Sequence, residues 1–468
     1  MMLGMNIDTQ AAGCPRARRL LAAMAQDLQL APQALAGVRF TADDELPSVF
    51  AVSDFAAAAV ATAGVAAAGL VGAHSGSTPA VGVNRRLASL WFGRSIQPQG
   101  WAMPAPWDPI AGDYRTKDGW IRLHTNAPHH RAAALHVLGV LADKAEVTHA
   151  VALWQAEALE LAVVERGGCA AAMRSAAQWA QHAQGRSVAS EPLLATRCTP
   201  DTAAGTSTFD AQHPLAGVRV LDLTRVLAGP VATRLLAGLG ADVLRIDPPD
   251  WDEPGVVPDV TLGKRCARLD LRSAAGRAAF AELLRQADVL VHGYRGDALD
   301  RLGLDSAARR KLRPGLVDVA LDAYGWGGPW RHRRGFDSLV QMSTGIAEAG
   351  MRALAKDRPV PLPVQAVDHA TGYLMAAAVL RGLTLRQRSG QGYEARASLA
   401  RTAMLLMSEP AAVLAGAFTP ASDADFDPAI EASDFGPARR LWPALQIEGT
   451  PLAWPRAATQ LGSAAPQW

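Results

Sequence analysis

Asp368 is the residue of this chain whose type and surroundings most clearly allow chemistry. It lies at the start of a predicted helix, among small residues that let a ligand approach the backbone, namely Ala366, Ala370 and Gly372. An aspartate there can simply cap the helix, because its carboxylate accepts hydrogen bonds from the first free N–H groups. The same carboxylate can also act as a nucleophile towards an acyl group.

Two further segments could hold the phosphate groups of a ligand. Residues 324–330 form a glycine-rich run after a predicted strand, and arginines follow it in the segment 331–334. Lys264 and Arg265 lie just before another predicted strand. Backbone N–H groups and guanidinium groups are common phosphate partners, so both segments are candidates for anion binding. The alternatives are an ordinary turn for the glycine run and solvated surface for Lys264 and Arg265.

A βαβ unit would position these residues. Val218–Leu223 is typical of a buried strand, Pro230–Leu239 of a helix that ends at Gly240, and Val243–Ile246 of the next strand. Strand, small-residue turn, helix and strand are typical of nucleotide-binding units. The turn lacks the spacing Gly-x-Gly-x-x-Gly, so we expect a nucleotide-bearing ligand other than NAD or FAD.

Strands and helices continue to alternate through the second half of the chain. Further strand patterns at Ala267–Leu271, Val289–Val291 and Leu316–Leu321 predict an α/β fold with a Rossmann-like, doubly wound, mostly parallel sheet. The first half differs, because Tyr114–His124 has a turn between two extended arms and amphipathic helices follow it. We predict a smaller α+β domain there.

Composition excludes several classes of protein. The 468 residues are 49% hydrophobic and 19% charged, which permits large cores and argues against global disorder. The net charge of +2 argues against bulk electrostatic binding to nucleic acid or to a membrane. The apolar stretch 49–73 is rich in alanine and carries Ser53 and Asp54, which favours a buried helix over a membrane span.

Cysteine and histidine spacing bears on metals and on the cellular compartment. The cysteines at positions 14, 169, 198 and 266 form no Cys-x-x-Cys pair, and the histidines show no ligand spacing. We therefore predict neither a disulfide framework nor a metal site, and we expect a reducing cytoplasm. Residues 1–10 show no basic region followed by an apolar run, so no secretory signal is expected.

Two segments of the chain resemble each other. Residues 52–70 and 366–380 each place an aspartate, Asp54 or Asp368, at the start of a small-residue helix. In both, a glycine or serine turn and an alternating strand with an arginine follow. The shared order favours an internal duplication over a chance likeness of alanine-rich helices. Asp54 has no nucleotide-type unit in its own half, so we favour Asp368 as the reactive residue.

These segments, in their order over residues 215–400, resemble the family III CoA-transferases, also called the CaiB/BaiF family. The matching segments are Leu215–Pro230, Gly240–Asp247, Gly263–Leu271, Ala287–Arg295, Asp300–Gly303, Tyr324–Pro329, Gly335–Asp337 and the Asp368 helix. Tyr114–Asn126 and the helices after it resemble the small domain of the family, which normally follows the Asp helix. The chain therefore looks like a rearranged tandem form.

The resemblance implies a domain division. Residues 1–110 would hold the first Asp helix and N-terminal elements, and residues 111–185 the small α+β domain. Residues 186–214, rich in Ser, Thr, Ala and Pro, would be a linker. Residues 215–468 would form the CoA-binding domain with the catalytic Asp helix. The family forms interlocked dimers, and the rearrangement leaves a homodimer as one possibility.

The resemblance also implies a reaction. CoA would move from an acyl-CoA thioester to a carboxylic acid, both as substrates, with no permanently bound cofactor. Asp368 would attack the thioester to give a mixed anhydride and would then carry CoA as an aspartyl-CoA thioester. The backbone of residues 325–328 is a candidate for stabilising the oxyanions.

Several residues are assigned to substrate contacts by their position in the resemblance. CoA would contact Val226, Leu227 and Ala228, and its adenosine and phosphates would lie near Lys264, Arg265 and Arg301. Trp101, Trp107 and Trp120 could line the acyl pocket, although core packing is the favoured role for each of them.

The sequence departs from the family at three places that bear on function. Gly293 stands where many relatives have Asn, and Asp297 replaces the Gly of a Pro-Gly turn. The α-methylacyl-CoA racemases of the family place a His before the Asp of Gly-x-Asp, where this chain has Phe336, which favours transfer over racemisation. His369 could take over only if it faced the same pocket. A non-catalytic CoA-binding homologue and a lyase with duplicated domains remain open alternatives.

Overall fold

The structure, a computed structural model of the chain, describes residues 14–202, 209–411 and 418–468. The helices within these ranges are α1 (Pro15–Gln26), α2 (Pro32–Ala36), α3 (Val52–Ser75), α4 (Arg85–Trp91), α5 (Pro128–Leu138), α6 (Lys144–Val151), α7 (Ala156–Glu165), α8 (Ala176–Gln181), α9 (Ala183–Ala189), α10 (Ala228–Gly238), α11 (Val257–Val260), α12 (Ala274–Gln286), α13 (Ser306–Leu312), α14 (Asp337–Thr344), α15 (Ile346–Ala353), α16 (Ala366–Ser389) and α17 (Leu399–Met407).

The strands form one large sheet and three small ones. In chain order they are β1 (Arg39–Thr41), β2 (Val81–Asn84), β3 (Ile96–Pro98), β4 (Gly112–Arg115), β5 (Trp120–Leu123), β6 (Ala170–Ala172), β7 (Leu194–Thr202), β8 (Arg219–Leu223), β9 (Asp242–Asp247), β10 (Lys264–Arg268), β11 (Val289–His292), β12 (Val317–Asp322), β13 (Gln391–Ser398), β14 (Glu431–Ser433), β15 (Gly436–Arg440) and β16 (Leu445–Ile447).

The large sheet confirms the predicted fold class. Its seven strands lie in the order β10-β9-β8-β11-β12-β13-β7, and all neighbouring pairs are parallel except β13 and β7. The chain winds outwards from β8 in one direction through β9 and β10, and then crosses to β11 on the other side. A doubly wound sheet opens a crevice at such a reversal, outside the carboxyl ends of the strands.

Burial on both faces explains the central strands. Four of the five residues of β8 are buried, as are all four of β11, which is typical of parallel strands covered by helices on both sides. Helix α10, which follows β8, is buried along its whole length because α16 packs over it. Helix α16, which carries Asp368, is thus fixed above α10, the helix that connects β8 to β9.

The predicted linker over residues 186–214 is wrong for much of its length. Residues Leu194–Thr202 form β7, which pairs antiparallel with β13 at the edge of the large sheet, and α9 continues to Ala189. The strand was missed because exposed residues interrupt its buried ones, as an edge position allows. Residues 203–208 of the predicted linker lie outside the described residues.

The α+β character predicted for the first half is confirmed by a small antiparallel sheet. Strands β4, β5 and β6 pair in that order, and Thr116 donates from its backbone N–H to the Gly119 carbonyl at 3.0 Å to close the predicted turn. Helices α5, α6 and α7 pack on this sheet around Ile121, Val147 and Leu159. We call residues 112–172, which contain these elements, the small domain.

The two aspartate helices, α3 and α16, have the same construction. Each has 24 residues, an aspartate in its first turn, and a left-handed glycine, Gly76 or Gly390, at its end. The residue before each helix has nearly the same conformation, with φ −74° and ψ 62° at Ala51 and φ −76° and ψ 61° at Gln365. A strand and a short helix follow each one. These features support the duplication that the sequence indicated.

Both helices are buried because their small residues allow close packing. Helix α3 is the one described helix long and apolar enough to cross a membrane, yet 89% of its most apolar window is buried inside the protein, where it packs along α16. On α16, a Cβ added at Gly372 would lie 2.3 Å from the Ala228 carbonyl oxygen. The absence of a side chain at Gly372 therefore lets α16 touch the start of α10.

The close approach at Gly372 predicts opposite effects for two equivalent substitutions. Replacing a helical glycine by alanine normally stabilises a protein by about 0.5–1 kcal/mol. Gly372→Ala should instead lower the free energy of unfolding by about 1–3 kcal/mol, because the added methyl overlaps Ala228. Gly69→Ala, on α3, is the matched control, since a Cβ there meets nothing within 4 Å. Chemical denaturation of both variants measures the difference, and equal effects would contradict the packing described.

Candidate active site

Asp337, and not Asp368, caps the aspartate helix. The carboxylate of Asp337 accepts the backbone N–H groups of Val367 and Asp368, each at 3.0 Å, and a bond from the Gln341 side chain. Asp337 is fully buried at the start of α14. The capping role that the sequence allowed for Asp368 is therefore filled by another residue. The carboxyl oxygens of Asp368 have no hydrogen bond or ion pair within the described ranges.

Burial and mutual repulsion shift the titration of both acids. Desolvation raises the pKa of Asp368 well above its ordinary value, and the nearby Asp337 carboxylate raises it further. Burial also raises the pKa of Asp337, to about 6, although the three hydrogen bonds that it accepts oppose the shift. Hydrogen bonds stabilise the carboxylate form of Asp337 and not that of Asp368. Asp337 therefore ionises first, and Asp368 retains its proton to higher pH.

The corresponding aspartate of the duplicated helix is neutralised. One carboxylate oxygen of Asp54 lies 2.7 Å from the guanidinium of Arg85, which is itself buried, and the other lies 3.8 Å from Arg16. An ion-paired carboxylate is a weaker nucleophile, because an attack would break the pairing. The choice of Asp368 over Asp54 has a physical basis in this contrast.

A cavity of about 380 Å³ opens beside Asp368, at the reversal point of the sheet. The predicted residues Val226, Leu227 and Ala228 line it together with Asp368. Two histidines of the small domain, His129 and His130, line its opposite wall. We call this cavity the cleft. Both of its walls come from one chain, as the rearranged order of segments allows.

Val226 holds a strained backbone conformation at the wall of the cleft. Its φ is 62°, in the left-handed region that β-branched residues rarely adopt. The conformation is held in part by a hydrogen bond from its N–H to the Glu253 carboxylate at 2.9 Å. Backbone strain of this kind concentrates at functional sites, where the surrounding structure maintains it.

Three arginines give the cleft an unneutralised positive charge. Arg225, Arg295 and Arg334 line it, and none of them has a carboxylate partner in the part of the chain that the structure describes. The guanidinium of Arg225 lies 4.5 Å from the Trp251 ring and 3.0 Å from the Tyr294 hydroxyl. Burial and the neighbouring Arg295 lower the pKa of Arg334. Guanidinium groups arranged in this way bind phosphate groups.

The basic residues predicted from the sequence lie elsewhere. Lys264 is completely buried, where its ammonium group donates to Asp222 at 3.0 Å and to the Pro230 carbonyl at 2.9 Å. Arg265, on the edge strand β10, pairs with Asp242 of β9, and Arg301 pairs with Asp297 on the surface. None of the three lines the cleft. The assignment of Lys264 to the CoA phosphates is wrong, because its side chain is fully buried and supports Asp222 and the first turn of α10. The assignment of Arg265 and Arg301 stays a prediction.

Most of the glycine-rich loop has no free oxyanion donors. The Gly325 N–H donates to the Asp322 carboxylate at 2.8 Å, and the N–H groups of Trp326 and Gly327 both donate to Glu191 at 2.9 Å. Glu191 follows the end of α9, far away in the sequence. The glycine loop therefore attaches α9 to the sheet, and none of residues 325–328 lines the cleft, which argues against their predicted role as an oxyanion site.

Aromatic rings of the small domain and of neighbouring segments close the outer end of the site. The His124 ring stacks on Phe336 with centroids 3.8 Å apart, and Trp107 packs edge-on against His124. Trp107, His124 and Val226 line a further cavity of about 400 Å³ next to Asp337. Of the three tryptophans proposed for an acyl pocket, Trp107 alone lines these cavities. Trp101 packs on Phe435, and Trp120 packs on the buried cluster that contains Leu339.

Two other expectations concern His369 and metals. His369 is buried on the far side of α16, where its ring stacks on Phe92 at 5.0 Å, and it does not line the cleft. Among the described residues, no group of His, Cys, Asp and Glu side chains is arranged to hold a metal ion.

Comparison with known proteins identifies the family of this chain. The family described as CoA-transferase family III matches residues 215–467, more than half of the chain. An acyl-CoA transferase of Fusarium pseudograminearum is 30% identical over 236 residues, covering 45% of this chain and 51% of its own. The succinyl-CoA:glutarate CoA-transferase of Mus musculus is 33% identical over 199 residues, covering 40% of this chain and 45% of its own. The chain belongs to CoA-transferase family III.

The similarity covers only part of this chain and part of each relative. The chain spans about half the length of the curated relatives that it matches. The crystal structure of Rv3272 from Mycobacterium tuberculosis is 31% identical and covers 42% of this chain and 56% of its own, with a TM-score of 0.39.

The burial of Lys264 predicts a structural and not a substrate-binding phenotype. Lys264→Met leaves the Asp222 charge buried without its partner and should lower the free energy of unfolding by about 3–5 kcal/mol. Arg265→Met, on the half-exposed pair with Asp242, should cost about 0–1 kcal/mol. Denaturation curves and CoA titrations of both variants test this. A Lys264→Met protein with unchanged stability but weakened CoA binding would contradict it.

The two aspartates should respond in opposite ways to the same substitution. Because the folded state raises the pKa of Asp368, the contribution of this residue to stability is fully present below its ordinary pKa of 3.8 and is lost as pH rises through the raised value. Asp368→Asn removes this loss, so its stability relative to wild type should increase with pH. Asp54→Asn breaks the pair with Arg85 and should destabilise the protein at neutral pH. Thermal melts from pH 4 to pH 8 measure both effects.

Proposed function

We propose that this protein transfers CoA from an acyl-CoA thioester to a carboxylic acid, with Asp368 as the covalent carrier. One observation supports this above all others. The carboxyl group of Asp368 is buried, has no partner among the described residues, and lies at a cleft that three arginines without a carboxylate partner also line. Relatives of the chain carry names of CoA-transferases with short acids, such as acetyl-CoA:oxalate CoA-transferase of Acetobacter aceti.

In the proposed complex, the arginines hold the anionic end of CoA. Arg225, Arg295 and Arg334 would neutralise its phosphate groups, and the segment 226–228 would lie along the pantetheine arm. The thioester would then reach Asp368, and the acyl group would extend towards Trp107 and Phe336 of the adjoining cavities. This arrangement combines residues that follow strands of the large sheet with Trp107, which precedes the small domain in the chain.

The proposed reaction has four steps. A carboxylate oxygen of Asp368 attacks the thioester carbon, the C–S bond breaks, and CoA leaves as a thiolate, giving a mixed anhydride. The thiolate attacks the aspartyl carbonyl and releases the donor acid, giving aspartyl-CoA. The acceptor carboxylate attacks that thioester, the C–S bond breaks and CoA leaves again as a thiolate, giving a second anhydride. The thiolate then attacks the acceptor carbonyl, which forms the new acyl-CoA and restores the Asp368 carboxylate.

The start of α10 is the best source of oxyanion donors in this site. Ala228 and Gly229 occupy its first two positions and line the cleft, and their N–H groups meet no acceptor within the described ranges. The N-terminus of a helix favours negative charge, because its first N–H groups are unpaired. These two groups would stabilise the tetrahedral oxyanions in place of the glycine loop.

Covalent trapping tests the proposal. The protein is mixed with acetyl-CoA, succinyl-CoA or a branched acyl-CoA, treated with hydroxylamine, and analysed by intact-protein and peptide mass spectrometry. We expect a hydroxamate on the peptide that contains Asp368, because hydroxylamine attacks aspartyl anhydrides and thioesters. The label should vanish in Asp368→Ala and persist in Asp54→Ala, the matched variant on the duplicated helix.

The trapping experiment also separates the alternatives. A label on Asp54 would show that the first half of the chain carries the reactive aspartate. Absence of label with every acyl-CoA, despite measurable CoA binding, would contradict CoA transfer and favour racemisation or non-catalytic CoA binding.

The acid pair predicts how activity depends on pH. Asp368 must lose its proton to attack, so kcat/KM should rise with pH through its raised pKa. Asp337→Asn removes the repulsion from the neighbouring carboxylate but keeps an oxygen to accept the N–H groups of α16. The acid limb of the pH profile should therefore move to lower pH in this variant. An unchanged or upward-shifted limb would contradict the coupling between the two acids.

A further inference from the structure

A second cavity, of about 370 Å³, lies beneath α13 on the other side of the segment 293–299. Its floor is the sheet face formed by β11, β12 and β13, and its roof is the start of α13. We call it the arginine chamber, because Arg197, Arg295, Arg309, Arg310 and Arg396 all line it. Arg295 is the one residue that lines both the chamber and the cleft, so the proposed CoA transfer uses little of the chamber.

The floor of the chamber is polar where a covered sheet face is normally apolar. Asp318 lies beside Glu394, and Ala320 lies between His292 and Arg396, in the parallel register of the three strands. Side chains alternate along a strand, so these residues point to the same face. Burying polar groups is unfavourable unless they are paired, which makes the pairing of each group informative.

Pairing within the chamber leaves two guanidinium groups without a carboxylate. Asp318 pairs with Arg309 at 2.7 Å, and Glu394 pairs with both Arg197 and Arg310. Arg295 and Arg396 have no carboxylate partner among the residues that the structure describes. The guanidinium of Arg396 lies 4.9 Å from the centroid of the Trp326 ring, a stacking contact that leaves its N–H groups free.

Two buried polar side chains of the chamber are incompletely paired. The Nδ1 atom of His292 has no partner in the described part of the chain. Its Nε2 atom lies 3.3 Å from the Asp318 oxygen that Arg309 leaves unbound, a close contact whose geometry is poor for a hydrogen bond. His292 and Asp318 are 7% and 3% exposed, so solvent does not satisfy them. An unsatisfied buried polar group costs about 1–3 kcal/mol. A bound ligand with polar groups would remove this cost.

We propose that the arginine chamber binds a small oxyanion, the carboxylate or phosphate group of a metabolite, through Arg295 and Arg396. Planar guanidinium groups bind either oxyanion with paired hydrogen bonds. His292 lies on the floor of the chamber, and because its Nε2 atom faces Asp318, its Nδ1 atom is left to a polar group of the same metabolite. Because Arg295 also lines the cleft, the anion and CoA would both contact the Arg295 guanidinium.

Calorimetric titration of the full chain tests this proposal. Inorganic phosphate and succinate are titrated separately at low ionic strength, with sodium chloride of matched ionic strength as the reference. We expect saturable binding of at least one anion, and which of the two binds identifies phosphate or carboxylate as the ligand chemistry. Arg396→Gln should weaken that binding about tenfold or more, because it removes a charge-assisted hydrogen bond.

Three comparisons make the titration specific. Arg396→Gln should leave CoA affinity unchanged, because Arg396 does not line the cleft. Arg225→Gln, in the cleft, should weaken CoA binding and leave the chamber anion unaffected. Arg352→Gln is the matched surface control, since its side chain is 76% exposed and lines neither cavity. Arg396 is exposed and has no hydrogen-bond partner in the described ranges, so its substitution should not impair folding.

Two results would overturn the proposal. One is the absence of saturable binding with both anions. The other is binding that survives Arg396→Gln and is lost in Arg225→Gln, which would place the anion in the cleft. Neither result bears on covalent labelling of Asp368, so the chamber and the proposed transfer reaction are tested independently.

Discussion

The cap that Asp337 places on α16 is the interaction on which the site depends. Two N–H groups at the start of a helix must find acceptors, and the aspartate within the first turn is the nearest candidate. Because Asp337 takes both bonds from outside the helix, the Asp368 carboxyl group stays unbound. The arrangement buries two acids close together, which raises the pKa of both. A destabilising feature is thereby kept where a nucleophile would be needed.

The duplicated helix shows how little separates a reactive carboxylate from a structural one. Helices α3 and α16 share their length, their caps and the position of their aspartate. Arg85 makes the difference, because it follows β2 directly and brings its guanidinium to Asp54. The chain thus holds two copies of one framework in a single core, and its small domain lines the cleft of the second copy.

Local sequence patterns predicted most of the fold and part of the site. Buried strands and the small-residue turn predicted the parallel sheet, and the segment 226–228 does line the cleft. Residue type alone could not show that Lys264 turns inwards to Asp222, or that Glu191 takes the N–H groups of the glycine loop. Both depend on partners distant in sequence. Arg225 and Arg295 were visible in matching segments, but only the assembled sheet brings them to one cavity.

The most direct test of the central claim follows the oxygen atoms. In the proposed reaction, each turnover returns to Asp368 one oxygen from the acceptor acid. The protein is therefore allowed to turn over succinyl-CoA with glutarate, or acetyl-CoA with oxalate, with oxygen-18 in the acceptor carboxylate. Peptide mass spectrometry should find heavy oxygen in the Asp368 side chain, and none in Asp54. Formation of the new acyl-CoA without heavy oxygen at Asp368 would contradict covalent transfer through this residue.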